Sequence, residues 1–311
     1  MPRVGWFARN KASLDGGVSD AVRFRTLDVK QGTEPSIKRE YSITADILAF
    51  RRCSRQYGYF SVLGFVPAQV TQIYYGSVIH EVLDRAHRQF AGMMEGYEKG
   101  VPTDADIESH FKAVSTAMRS KRITPFGKKG EEAAKRAILN FNRKMGPTLY
   151  PRVRDTEHKL KVDMADFLLV GVVDVLVGEG VSGDSPDVEI WDYKGSKRLE
   201  PGSKEIAQYE FQMQVYAELY MRKNGRYPAK SVLCFLEERE PKDMILEVPF
   251  SHASVSDAME EFAKTVAEIE RRTDAGDWSP PKEPPSRQTC AACDLRWDCP
   301  SPKERFGPTF P

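Results

Sequence analysis

Two neighbouring apolar runs, Gly171-Val-Val-Asp174-Val-Leu and Glu189-Ile-Trp-Asp192-Tyr-Lys194, each carry an aspartate where a buried strand least tolerates one. Both runs are rich in β-branched and aromatic residues and are bounded by Gly, Ser, Asp and Pro, so they read as consecutive strands. A carboxylate among such neighbours costs free energy unless something compensates it. In a regular strand Asp174 points away from the face of Val173 and Val175, whereas Asp192 and Lys194, two residues apart, share one face. Two carboxylates with a lysine beside them can hold a hard divalent cation and set an ammonium near an attacking water, the equipment of phosphodiester hydrolysis. Taken alone, an Asp-x-Lys is more often a surface ion pair at a strand end, so its company decides.

The period of the apolar residues places that company. Strands are expected at 160–164, 167–177, 188–193, 230–236 and 244–249. Helices are expected from Thr44 as N-cap, from Gly76, and at 104–120, 130–148, 204–222 and 254–272, which together make a mixed α/β architecture. His80 lies on the helix from Gly76, whose Val78, Ile79, Val82, Leu83 and Ala86 form one buried face. A lone helix histidine is usually a packing residue. Gln212 and Tyr216, four apart, share a helix face from which an amide and a hydroxyl can reach a phosphate or orient the lysine. By itself that pair would be an ordinary amphipathic surface.

Cys290, Cys293 and Cys299 fall within ten residues, and Cys53 is the plausible fourth member of the set. Three thiols so close rarely pack as inert core. Four thiolates suit a structural zinc or an iron–sulfur cluster, and the spacing leaves both open. Bringing Cys53 to the terminal triplet closes a loop of most of the chain, which constrains the unfolded state. Cys234, inside Val232-Leu-Cys-Phe, reads as a core thiol outside the site. Five cysteines are too few and too uneven for a secreted disulfide scaffold.

Forty-six Lys and Arg against forty-five Asp and Glu leave a net charge of +1, so any polyanion-binding surface has to be local. Within 112–161 there are fourteen Lys or Arg against four acids, a balance of +10. The segment reads either as solvated helix faces or as a basic, mostly helical insertion (about 100–150) that contacts DNA, with Lys128, Lys129, Lys135 and Arg136 as the contacting residues. A hydrophobic content of 41% can supply a real core. No run approaches the eighteen or so apolar residues of a membrane span, and residues 1–11 lack a signal-peptide core, so the expected location is cytoplasmic with no membrane partner. Residues 1–40 read as a loosely ordered extension and 301–311 as a tail. No G-x4-G-K-[S/T] motif occurs, so ATP-driven unwinding would have to come from a helicase or ATPase partner.

In their order along the chain these motifs resemble the RecB-like branch of the PD-(D/E)XK nuclease superfamily, specifically its iron–sulfur members. The order is Cys53, Gly76-Ser77-x2-His80, Gly171-x2-Asp174, Asp192-x-Lys194, Gln212-x3-Tyr216 and the terminal cysteines. The stretch from Ser42 through Cys53 to Tyr57 also resembles nuclease domains fused to UvrD-type helicases, with Ser54 where those relatives usually carry Pro. The similarity covers about 41–300. It implies a restriction-endonuclease-like core, a central mixed sheet flanked by helices, with a helical insertion and a cysteine-bound cluster joining the two ends. It implies that His80, Asp174, Asp192 and the Tyr193 carbonyl bind Mg2+ or Mn2+, and that Lys194 orients water and stabilises transition-state charge. Gln212 and Tyr216 would stand behind that site, Glu157 falls where many members carry an acid, and Cys53, Cys290, Cys293 and Cys299 would hold a [4Fe–4S] cluster. The implied activity is that of a DNA nuclease, chiefly an exonuclease, in repair, recombination or anti-phage defence. The alternative is a catalytically inactive subunit of a helicase–nuclease complex that keeps the fold for DNA binding or assembly.

Overall fold

A computed structural model of the chain describes residues 39–66, 74–125, 127–178, 187–291 and 293–301. Of the expected 1–40 extension and 301–311 tail, only residues 39, 40 and 301 fall within that set. The acid-bearing runs are adjacent strands of a six-stranded mixed sheet. In chain order its strands are β1 (Glu40–Ser42), β2 (Val153–Asp163), β3 (Leu168–Val177), β4 (Glu189–Lys194), β5 (Lys230–Phe235) and β6 (Ile245–Val248).

The longer helices are α1 (Tyr74–Phe90), α2 (Asp104–Ser120), α3 (Gly127–Lys144), α4 (Lys204–Asn224) and α5 (His252–Ala275). One core packs α1, α2 and α3 on the sheet face of Val175, Trp191, Tyr193, Val232 and Cys234. The other packs α4 and α5 on the face of Ile190, Leu233 and Phe235. The apolar stripe of α1 is fully buried in the first core, and each such side chain contributes about 1.5–3 kcal/mol relative to exposure.

The sheet opens at the site. Antiparallel β2 pairs with β3 along its length, so β1 and β4 share the opposite edge of β3. Parallel β1 takes 168–170 and antiparallel β4 takes 175–177, which leaves 171–174 outside both ladders on that edge. The strict alternation of β3 also breaks there. Val173 packs on the α4 side and Val175 on the α1 side, so Asp174 does not sit on a regular strand as the sequence alone suggests. Gly171 answers to a close approach: a Cβ there would lie 2.7 Å from Leu219 Cδ1 and 3.0 Å from Tyr216 Cε1. Only glycine lets α4 press this close to β3.

Two element starts differ from expectation. The first helical segment is capped by Ser42, not Thr44: Ser42 Oγ accepts from Ala45 N at 3.1 Å while Asp46 Oδ2 accepts from Ser42 N at 2.7 Å. These reciprocal bonds fix the helix start directly after β1. Strand β2 begins at Val153, seven residues before the expected 160, because its first half is polar. As an edge strand it tolerates charge that a central strand would not.

Candidate metal and nuclease site

Strand β4 presents Asp192 and Lys194 to the α4 side, next to Ile190. Lys194 Nζ lies 2.7 Å from Asp192 Oδ2, with side chains only 13% and 4% exposed. Gln212, on α4, ties both together: its Oε1 accepts from Lys194 Nζ at 2.9 Å, and its Nε2 donates to Asp192 Oδ1 at 2.7 Å. The same amide nitrogen lies 3.2 Å from Tyr216 Oη. The Gln212 orientation is thereby set, because only its carbonyl end can receive the ammonium. Tyr209, one helical turn before Gln212, places its ring 4.0 Å beneath Lys194 Nζ. Sequence reading missed Tyr209, although its spacing of three from Gln212 puts it on the same face.

The other half of the site comes from α1 and β3. His80 Nδ1 lies 3.2 Å from Asp174 Oδ1, and His80 Nε2 lies 3.0 Å from the Tyr193 carbonyl oxygen. The Tyr193 backbone N–H donates to Asp174 Oδ2 at 2.7 Å. Behind Tyr193, its hydroxyl meets His87 Nε2 at 3.0 Å, with the two rings stacked. Burial holds His87 down to about 3, so it stays neutral against that hydroxyl.

Burial alone would lower the His80 pKa, but the Asp174 charge and hydrogen bond, helped by Asp192, raise it to about 9. Burial pushes Asp192 up, against the lowering effect of Lys194. Glu157 is pushed up as well, by burial and then by the charge of Asp174. Ligand atoms of His80, Glu157 and Asp174 all lie within 4.8 Å of one another. Glu157 holds a left-handed backbone with φ of 51° and falls between the pairs Thr156↔Val175 and His158↔Val173, hence opposite Asp174.

This donor set fits a divalent cation. Three ligand types converge, and buried Asp192 Oδ2 has no aligned hydrogen bond in spite of its ion pair with Lys194. That oxygen already faces the Lys194 ammonium, and Asp192 stands outside the group His80, Glu157 and Asp174 whose ligand atoms converge. Of these residues His80 and Glu157 open onto a cleft of about 800 Å³, lined also by Ser77, Glu81, Asp84 and Arg88 of the polar stripe of α1.

The four predicted cluster cysteines also come together. Cys53, Cys290, Cys293 and Cys299 line one small cavity of about 20 Å³. Burial raises the Cys53 pKa, and the neighbouring Cys293 and Cys299 raise it further. Thiols in this setting ionise when a metal displaces their protons. Cys234 is buried on β5 in the α1-side core, away from this set. Around the cavity, Arg55 Nη2 donates to Asp298 O and Oδ2, each at 3.0 Å, and Ser54 Oγ donates to Ser279 O at 2.7 Å.

Acids outside the window pair with five of the cations behind the +10 balance of 112–161. Lys135 pairs with Glu108, Arg143 with Asp104, Lys144 with Glu240, Arg152 with Glu189 and Lys161 with Glu40. Arg136 meets Glu132 at 3.7 Å. Lys128 and Lys129, exposed near the start of α3, have no ion pair among the described residues.

A mixed sheet between two helical layers, with a His, two Asp and a Lys at the place where it opens, is the restriction-endonuclease-like fold. The chain belongs to the PD-(D/E)XK nuclease superfamily, whose profile matches residues 44–300. Among solved structures it is similar to a candidate exonuclease from Eubacterium rectale, at 15% identity and a TM-score of 0.51 over 88% of this chain and 93% of that one. That likeness concerns the fold. It is also similar to an alkaline exonuclease from Laribacter hongkongensis, at 16% identity and a TM-score of 0.28 over 66% and 95% of the two chains. No curated protein matches the chain. Among the described residues no helix is long and apolar enough to cross a membrane.

Proposed function

We propose that this chain is a divalent-metal-dependent DNA nuclease of the RecB-like branch. The observation that carries the reading is the triangle of Asp192, Lys194 and Gln212, set beside the Asp174–His80 pair. His80, Asp174, Asp192 and the Tyr193 carbonyl, joined by Glu157, would hold Mg2+ or Mn2+. Such an ion polarises a phosphoryl oxygen and lowers the pKa of bound water. Imidazole in the set favours Mn2+ over Mg2+, which prefers oxygen donors alone. Lys194, fixed by Asp192 and Gln212 over Tyr209, keeps its ammonium where it orients a water and offsets charge building on the phosphorus oxygens. Gln212 and Tyr216 act through Lys194 and Asp192, holding them in register.

The four cysteines would carry a [4Fe–4S] cluster, with structural Zn2+ as the alternative, that joins the two ends of the nuclease domain. Lys128, Lys129, Lys135 and Arg136 on α3 would meet the DNA backbone, with Lys128 and Lys129 the least committed to other charges. A helicase or ATPase subunit would supply unwound strands for repair, recombination or anti-phage defence.

End-labelled single- and double-stranded DNA incubated with Mg2+, Mn2+ or EDTA tests the reading. Cleavage with either metal, faster with Mn2+, absent in EDTA and lost in Lys194→Ala, is the expected result. No cleavage of any substrate by the anaerobically purified protein overturns it.

A further inference from the structure

A second groove, of about 740 Å³, lies between α3 and the turn that follows β5. It begins where the site ends. The Lys194 carbonyl accepts from Leu236 N at 2.9 Å and the Ser196 carbonyl from Glu237 N at 3.3 Å, so the strand that bears Lys194 runs into the groove wall. Lys197, on that wall, is three residues from Lys194, no more than about 11 Å of chain. Arg136 lines the opposite wall and Arg239 the turn.

The charges in this groove are unevenly committed. Glu237 accepts from Tyr75 Oη at 2.7 Å, Glu238 from Arg198 N at 2.9 Å, and Glu240 from Lys144 Nζ at 2.7 Å. Lys197 and Arg239 are exposed and have no ion pair among the described residues. Arg136 has only its long, exposed pair with Glu132, which contributes little. Lys197, Arg239 and Arg136 therefore face the groove with their charge available, beside the carboxylates of Glu237 and Glu238, whose hydrogen-bond donors are neutral. The cleft on the His80 side is the reverse, with Glu81, Asp84, Glu95 and Glu157 against Arg85 and Arg88.

We infer that Lys197, Arg239 and Arg136 form a phosphate track that holds the DNA strand on the Lys194 side of the bond being cut. This rests on the nuclease reading and adds two residues to it, Lys197 and Arg239. A polyanionic backbone is what the free cations select, because it meets several of them at once and releases counterions on doing so. The groove reads no sequence, since the groups it meets are phosphates.

The test is a fluorescence-anisotropy titration of labelled oligothymidine against salt, in the Lys194→Ala background so that the strand stays whole. Adding Lys197→Gln and Arg239→Gln should weaken binding and flatten the slope of log K against log salt by about 0.7 for each phosphate no longer neutralised, so about 1.4 together. A mixed-sequence strand should weaken by the same amount. Lys223→Gln, an exposed charge at the end of α4, controls for charge alone and keeps the parental slope. Cleavage by the unmodified protein, together with a parental slope in the Lys197/Arg239 variant, overturns the track and leaves the nuclease reading standing. That outcome would also follow if a protein partner occupied the groove. Absence of cleavage by the unmodified protein overturns the nuclease reading itself.

Discussion

Asp174 accepts a 2.7 Å hydrogen bond from the Tyr193 backbone N–H at the point where the ladder between β3 and β4 stops. The bond replaces a backbone pairing with a side-chain one. It also turns the Tyr193 carbonyl toward His80 and leaves Asp174 Oδ1 facing the same imidazole. A strand irregularity that would otherwise expose polar backbone instead assembles three metal-ligand candidates.

Asp174→Asn keeps an acceptor for that N–H and removes the charge. Because burial lowers the His80 pKa and Asp174 is the chief group raising it to about 9, the imidazole pKa should fall well below 9 in the variant. An NMR titration of the histidine ring reads this directly, and an unchanged value would show that another group holds the proton. In the parent, metal must displace that proton, so affinity should rise with pH up to about 9. Without metal the linkage runs the other way. A raised folded-state pKa contributes stability that is complete below the unfolded value of about 6.5 and is lost as pH rises through about 9.

Lys194→Ala and Asp192→Asn should differ in stability although both stop cleavage. Removing Lys194 leaves a buried carboxylate without its cation, a change that costs about 3–5 kcal/mol in buried pairs. Asp192→Asn leaves the Lys194 ammonium with the Gln212 carbonyl and the Tyr209 ring as partners and should be milder. In EDTA the melting temperature of Lys194→Ala should drop more than that of Asp192→Asn, and Mn2+ should restore part of the loss for Lys194→Ala alone. Equal melting temperatures in EDTA would mean that the pair is not buried as described.

Glu157 sits in a left-handed conformation that costs a non-glycine residue about 1–2 kcal/mol. Asparagine visits that region more readily. Glu157→Asn should therefore raise the melting temperature while weakening Mn2+ binding and slowing cleavage, the pattern of strain kept for a functional side chain. A variant as active as the parent would remove Glu157 from the ligand set.

The sheet and the Asp192–Lys194–Gln212–Tyr216 group were legible in the sequence because they rest on local periods: two for a strand face, four for a helix face. Glu157 could be placed only by family likeness, since β2 is polar at that end and shows no apolar alternation. The break between Val173 and Val175 was invisible because it arises from how β1 and β4 divide one edge of β3, a long-range fact. His87, which no sequence motif singles out, owes its place to Tyr193, brought against it from β4. The charge of 112–161 was legible only in part, since Glu40, Asp104, Glu108, Glu189 and Glu240 pair with five of its cations from outside the window.

The two ends of the domain are tied by protein contacts whatever the cysteines hold, and this shapes what Cys53→Ser should do. Arg55 with Asp298, Ser54 with Ser279, and Tyr57 with Trp278 remain in that variant. The loss of one thiolate should therefore abolish the metal centre without unfolding the nuclease core. Anaerobically purified parent should show the visible absorbance of an iron–sulfur centre, and Cys53→Ser should lose it and melt at lower temperature, to the same extent as Cys299→Ser. Cys234→Ser, a substitution in the α1-side core, should keep the absorbance, even though its buried hydroxyl lowers stability. Colourless parent protein carrying zinc would replace the cluster with a structural zinc and keep the four ligands. Full metal content in Cys53→Ser would instead remove Cys53 from the set, and with it the covalent link between the ends.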